Sequence, residues 1–153
     1  MFDGGSCPQL SKKPKIFFFQ ACQGKTETKG VSVDDTDSVM ECGLNKLSVV
    51  DSPNAKPLPT DETVHEKNDT IVAYSTVPGY IAMRHKYEGS WFINDLVDTF
   101  SEHACNNDIL QLLVKVNDKV SRRRTKDGIL QAIQTVQSLR KSLYFFPGYA
   151  VNR

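Results

Sequence analysis

Lys15-Ile16-Phe17-Phe18-Phe19-Gln20-Ala21-Cys22-Gln23-Gly24 is the stretch on which the fold turns. Pro14 stands before it, and its apolar half is too continuous for a half-exposed strand and too abruptly ended for a helix, which predicts a buried strand over about 15–21. Cys22 then leaves the carboxyl end of that strand and enters a glycine-bearing turn, the place where open α/β sheets hold their ligands. A thiol emerging from a rigid strand is held still yet accessible, and its own N–H can face a developing oxyanion. An inert cysteine buried at a strand end fits the same position, since free Cys is among the most buried residue types.

Downstream, from Gln23 to about Asp69, acidic residues alternate with Ser, Thr, Pro53, Pro57 and Pro59 and no periodic apolar face survives, which reads as a long exposed linker. Order returns at Thr70–Thr76, a second buried strand closed by Pro78-Gly79. Ile93, Leu96, Val97, Phe100 and Ala104 follow at helical spacing and predict one buried face of a first helix. After the break and N-cap candidates Cys105-Asn106-Asn107-Asp108, the same spacing recurs at Ile109, Leu112, Leu113, Val116 and Val120. Ser121–Gly128 reads as a basic loop, Ile129–Leu139 fits helix or strand, and Leu143–Phe146 before Pro147-Gly148 reads as a last strand. Two helices, at least three strands and helix-length crossovers indicate an α/β layered sheet.

With 153 residues, 39% hydrophobic, 24% charged and a net charge of +1, the composition is that of one ordinary folded domain. That balance provides no field to draw nucleic acid or anionic lipid, and Arg122-Arg123-Arg124, without interleaved aromatics, reads as a solvated loop. The longest apolar runs fall far below the roughly 18 residues of a membrane span. The amino-terminal residues lack a basic patch followed by an apolar stretch, so a cytoplasmic protein is expected. Cys7, Cys22, Cys42 and Cys105 form no C-x-x-C pair, so neither a zinc site nor a dense disulfide framework is indicated, and separately no organic cofactor is suggested.

Gln20-Ala21-Cys22-Gln23-Gly24 matches at every position the Gln-Ala-Cys-(Arg/Gln/Gly)-Gly signature of caspases, the aspartate-specific cysteine peptidases. Further landmarks appear in family order. Lys13–Phe17 resembles the entry to the catalytic strand, Ala73–Tyr80 the first strand of the small subunit, Gly89–Ile93 the start of its first helix, and Leu143–Pro147 its closing strand. The resemblance implies a caspase-like three-layer α/β sandwich, partial and mainly the small-subunit half. It divides the chain into the end of a large-subunit-like part at 1–30, an intersubunit linker at 31–69, a small-subunit-like part at 70–149 and a tail at 150–153.

By that resemblance Cys22 is the nucleophile, and Cys22 and Gly24 line the oxyanion site. Gln20 and Arg84 grip the substrate's Asp, a reading that suits a planar guanidinium facing a carboxylate. Ile81, Ala82 and Met83 precede that arginine in the edge stretch that pairs with extended peptide. Met83 stands where the family carries an aromatic residue, which puts selectivity at the adjoining subsite in question. The family's histidine base lies on the order of 50 residues upstream of the cysteine, and 21 residues precede Cys22. The base is therefore expected to be missing, with His65, His85 and His103 poor substitutes, leaving the chain a poor catalyst alone.

In the linker, Asp37 before Ser38 and Asp51 before Ser52 are candidate activation cleavage sites. Leu143, Tyr144, Phe145 and Phe146 are the expected contact for a homodimer or a heterodimer with a caspase, and the Cys-bearing strand is expected to present an open edge. The implied function is hydrolysis after Asp in apoptotic or inflammatory proteolysis. The alternative is a non-catalytic homologue that binds a caspase dimer surface and tunes its activation.

Overall fold

The computed structural model describes residues 6–31 and 65–147. Apart from Val31, these lie in one unit formed by Met1–Gly30 and His65–Arg153, the second unit being Val31–Val64.

A three-stranded sheet organises the described unit, with β1 (Lys15–Phe19) and β3 (Thr70–Tyr74) paired in parallel from Lys15↔Thr70 to Phe19↔Tyr74. Between them in sequence comes the short β2 (Gly24–Thr26), which pairs in parallel with β4 (Gly79–Tyr80). Next, β5 (Arg84–His85) forms a small antiparallel ladder with β6 (Gly89–Ser90), which leads directly into α1 (Trp91–His103). After α2 (Ile109–Arg122), the chain returns as β7 (Gln134–Gln137), antiparallel to β3, giving the order β1-β3-β7.

The core lies between one face of this sheet and the two helices. Ile71 and Ala73 alternate inward from β3 and meet Phe92 of α1, Ile109, Leu113, Val116 and Val120 of α2, and Ile133. The described residues thus supply the sheet and one helical layer of the α/β sandwich. α2 forms as its spacing predicts: its whole apolar stripe is buried. Asp108 begins it with a capping box, accepting from Leu110 N and Gln111 N while Gln111 Oε1 accepts from Asp108 N.

Three expectations need correction. First, β1 is an edge strand rather than a buried one: only Lys15 is buried, while Phe18 and Phe19 are 38% and 47% exposed. Phe18 stands over Phe100 of α1 and Phe19 stacks on Tyr74, at the margin of the sheet.

Second, α1 turns only part of its expected face inward: Ala104 is buried and Leu96 and Phe100 pack against the core, but the face is shared with other residues. The buried residues within the helix are Trp91, Phe92, Asp95 and Thr99, whereas Ile93 and Val97 are 37% and 54% exposed. The helix carries two candidate stripes, and the one containing polar residues turns inward because Arg123 satisfies Asp95 through paired bonds of 2.8 and 2.6 Å.

Third, Leu143–Phe146 is not a strand. Leu143 O accepts from Ile109 N, Phe146 adopts φ +45°, and the run packs through its rings, Phe145 lying 5.5 Å from Phe100 and Tyr144 5.5 Å from Phe146. The strand at that end of the sheet is β7, inside the stretch whose pattern suited either element.

Candidate active site

Cys22 sits on a turn fixed from both sides. Before it, Phe19 O accepts from Ser75 N at 2.9 Å, and the Ser75 hydroxyl accepts from Ala21 N at 3.2 Å while donating to Ala21 O at 3.0 Å. After it, Gln23 N donates to Tyr80 O and Gly79 N to Gln23 O, both at 3.0 Å, and the Gln23 side-chain amide donates to Thr76 O. Gly24 then lies directly against Gly79, where an added Cβ would run into that residue's backbone carbonyl. The close approach admits glycine alone. Between these ties the Cys22 side chain remains exposed.

The segment after β4 crosses in front of the sulfur. Ile81 N donates to Thr26 O at 3.0 Å, Ala82 N to Cys22 Sγ at 3.3 Å, and Met83 N to Gln131 Oε1 at 2.6 Å. The Ala82 carbonyl stands 4.0 Å from the same sulfur. Arg84 pairs with Ser90 across the β5–β6 ladder, and the Ser90 hydroxyl donates to Gln20 Oε1 while capping α1 by accepting from Ile93 N. Gln20, Cys22 and Arg84 therefore converge: Gln20 bonds to the residue opposite Arg84, and Cys22 contacts the residue two before it.

Arg84 also lines an open cavity of about 570 Å³ between Met83–His85 with Trp91 on one side and residues 123–127 on the other. Its cations Arg84, Arg124 and Lys126 outnumber the acidic Glu88 and Asp127, while Arg123 is engaged by Asp95. That side-chain hydrogen bond raises the Arg123 pKa above its already high value, so the guanidinium keeps its charge. Ala82, which contacts the Cys22 sulfur, directly precedes Met83 at the edge of this cavity, and a cavity with this excess of guanidinium and ammonium groups suits a carboxylate.

The histidines are held elsewhere. His65 Nδ1 accepts from Lys67 N, His85 Nδ1 accepts from Glu88 N, and His103 lies 3.5 Å from Glu102. Asp37 and Asp51 fall outside the described residues. Among the described residues no group of three or more His, Cys, Asp or Glu could hold a metal ion, and no helix is long and apolar enough to cross a membrane. Sequence reasoning missed Ser75, Ser90 and Gln131. Ser90 carried a signal, as a serine immediately before an apolar helical run; Ser75 and Gln131 carried none, because their partners are remote in sequence.

Residues 1–144 match the family model described as the caspase domain. The chain belongs to the caspase family. It is 33% identical over 159 residues to Caspase-9 of Homo sapiens, covering 95% of this chain and 36% of that protein. With Caspase-6 of Gallus gallus the identity is 36% over 155 residues, covering 96% of this chain and 49% of the relative. Among solved structures, the crystal structure of Caspase-1 from Spodoptera frugiperda superposes with a TM-score of 0.73 at 27% identity, covering 94% of this chain and 50% of that one. The architecture is thus the mixed α/β caspase fold, partial relative to full-length caspases. This chain spans about a third to a half of the caspases it matches.

Proposed function

We propose that this chain carries the nucleophile and the aspartate-recognition elements of a cysteine endopeptidase that cleaves protein substrates after Asp. In a complete site the Cys22 thiolate attacks the carbonyl carbon of the scissile bond, and a general base from outside the described residues takes the thiol proton and later returns it to the leaving amine. Arg84, with Gln20, receives the Asp carboxylate, the Cys22–Gly24 turn holds the oxyanion, and Ile81–Met83 guides the peptide backbone. The observation that carries this reading is the convergence of an exposed Cys22 with Ala82, two residues from Arg84.

The remaining expectations belong to the same proposal: cytoplasmic action in apoptotic or inflammatory proteolysis, activation by linker cleavage at Asp37 or Asp51, and pairing with a second caspase chain. β7, with Val136 51% exposed, and the aromatic run Tyr144–Phe146 form the surface for that pairing. A second reading, a non-catalytic partner that tunes another caspase, is favoured by the engagement of all three histidines away from Cys22.

Hydrolysis of an Asp-containing reporter peptide separates the two, measured for the purified chain alone and mixed with a full-length caspase, with Cys22→Ala as control. Added turnover in the mixture that disappears with C22A supports the peptidase. An altered rate in the mixture that C22A preserves supports the partner. Cys22-dependent turnover by the chain alone contradicts the need for an outside base.

A further inference from the structure

The nucleophile and the Asp-recognising arginine lie on different segments, and two buried polar side chains join them. Ser75 is completely buried at the end of β3, and its hydroxyl holds both the N–H and the carbonyl of Ala21, the residue before Cys22. The Ser75 carbonyl in turn accepts from Gln131 Nε2 at 2.6 Å. Gln131, 3% exposed, uses its other terminus, Oε1, to accept from Met83 N at 2.6 Å, one residue before Arg84. A continuous path of hydrogen bonds thus runs Ala21–Ser75–Gln131–Met83, assembled from three separate stretches of chain.

We infer that Ser75 and Gln131 are positioning residues that fix the Cys22 sulfur relative to Arg84, and so set the enzyme's selectivity for Asp. This deepens the proposed function and rests on it. A primary amide is suited to the task because it donates and accepts at fixed geometry. Burial makes each bond costly to leave unmade, so the two segments are held in one relative placement. Register between a nucleophile and the group that anchors the substrate matters strongly to rate, since misplacement by about 1 Å can cost on the order of a hundredfold. Neither side chain hydrogen-bonds to Cys22 Sγ or the Arg84 guanidinium; each acts through the backbone it holds.

The test needs no turnover. Alkylation of Cys22 is timed by mass spectrometry of its tryptic peptide, using a peptidyl fluoromethyl ketone ending in Asp, its Asn counterpart, and iodoacetamide, which needs no recognition. The ratio of the Asp-reagent rate to the iodoacetamide rate reports how well thiol and recognition site are aligned. Gln131→Met keeps the volume and removes both hydrogen bonds, and Ser75→Ala releases Ala21; each is expected to lower the ratio by at least about tenfold. The double variant is expected to fall no further than the worse single variant, since both break one path.

Thermal melting and amide exchange at Met83 accompany the labelling, and Ser75→Ala carries the test should Gln131→Met fail to fold. A ratio unchanged within about twofold in a folded variant, or losses that multiply in the double variant, overturns the inference. Failure of the underlying reading is distinguishable, because wild-type chain would then label equally with the Asp and Asn reagents; that outcome overturns both.

Discussion

Replacing Arg123 by Met tests whether the polar centre of α1's buried face is what the structure makes it. Asp95 is 4% exposed, and its carboxylate accepts from Arg123 Nε at 2.8 Å and Nη2 at 2.6 Å, while the arginine side chain remains 31% exposed. Arg123→Met retains the stem and its packing but strands a buried carboxylate. Breaking a fully buried pair costs about 3–5 kcal/mol. Because the arginine reaches solvent, water can enter where the guanidinium stood, so about 2–3 kcal/mol is expected here. The double variant Asp95→Leu/Arg123→Met removes the stranded charge and is expected within about 1 kcal/mol of wild type. Urea unfolding followed by fluorescence suits the measurement, since Trp91, the single tryptophan, is buried in the same helix. A loss below about 0.5 kcal/mol in the single variant, or a double variant less stable than the single, would refute the claim that the arginine is what allows this face to turn inward.

Gly24→Ala is expected to force β2 away from β4, because the new methyl meets Gly79 backbone rather than a movable side chain, at a cost of about 1–3 kcal/mol in urea unfolding. Cys22 alkylation kinetics should change with it, and an unchanged rate with unchanged stability counts against the close approach. Asp69 is held below its ordinary pKa chiefly by the Arg140 side-chain hydrogen bond. A carboxyl whose folded pKa is depressed contributes stability above its unfolded value, near 3.9, and that contribution is lost as pH falls through the folded value. The urea midpoint of wild type should therefore fall more steeply with acidification below about pH 5 than that of Arg140→Met, and parallel curves would contradict the pairing. Val97→Lys places a charge on an exposed apolar position and is expected to change stability by less than about 0.5 kcal/mol in the same assay; a loss of several kcal/mol would mean that α1 buries this face after all.

Local pattern was enough for α2, where apolar spacing and the Asp108–Gln111 cap agree, and for the strands that hold Cys22 and the following Thr70 segment. The position of Cys22 in a glycine-bearing turn after β1 was legible as well, because that placement depends only on its sequence neighbours. It failed in α1, where Asp95 and Thr99 look like solvent-facing positions until an arginine 28 residues later in the chain is brought against the helix. It failed again at the end of the chain. Leu143–Phe146 has the composition of a strand but packs by its rings, whereas Gln134-Thr135-Val136-Gln137, with little apolar content, forms the ladder with β3. Ser75 and Gln131 could not have been chosen from sequence at all, for their meaning lies in hydrogen bonds spanning about 50 residues.

The same corrections explain why so much apolar surface stands open. Ile93 and Val97 stand outward on α1, while Phe18 from the edge strand, itself 38% exposed, meets the partly buried Phe100 ring to ring at 6.0 Å, with Phe145 beyond it. Phe18, Ile93, Val97 and Phe145 are thus all exposed apolar groups on or beside β1 and α1. A monomer seldom leaves such groups bare, because unpaired strand groups and exposed rings together invite association. The matched caspases are two to three times as long as the part this chain covers. An apolar edge beside the strand that leads into Cys22 is the kind of surface that a further element of caspase architecture covers.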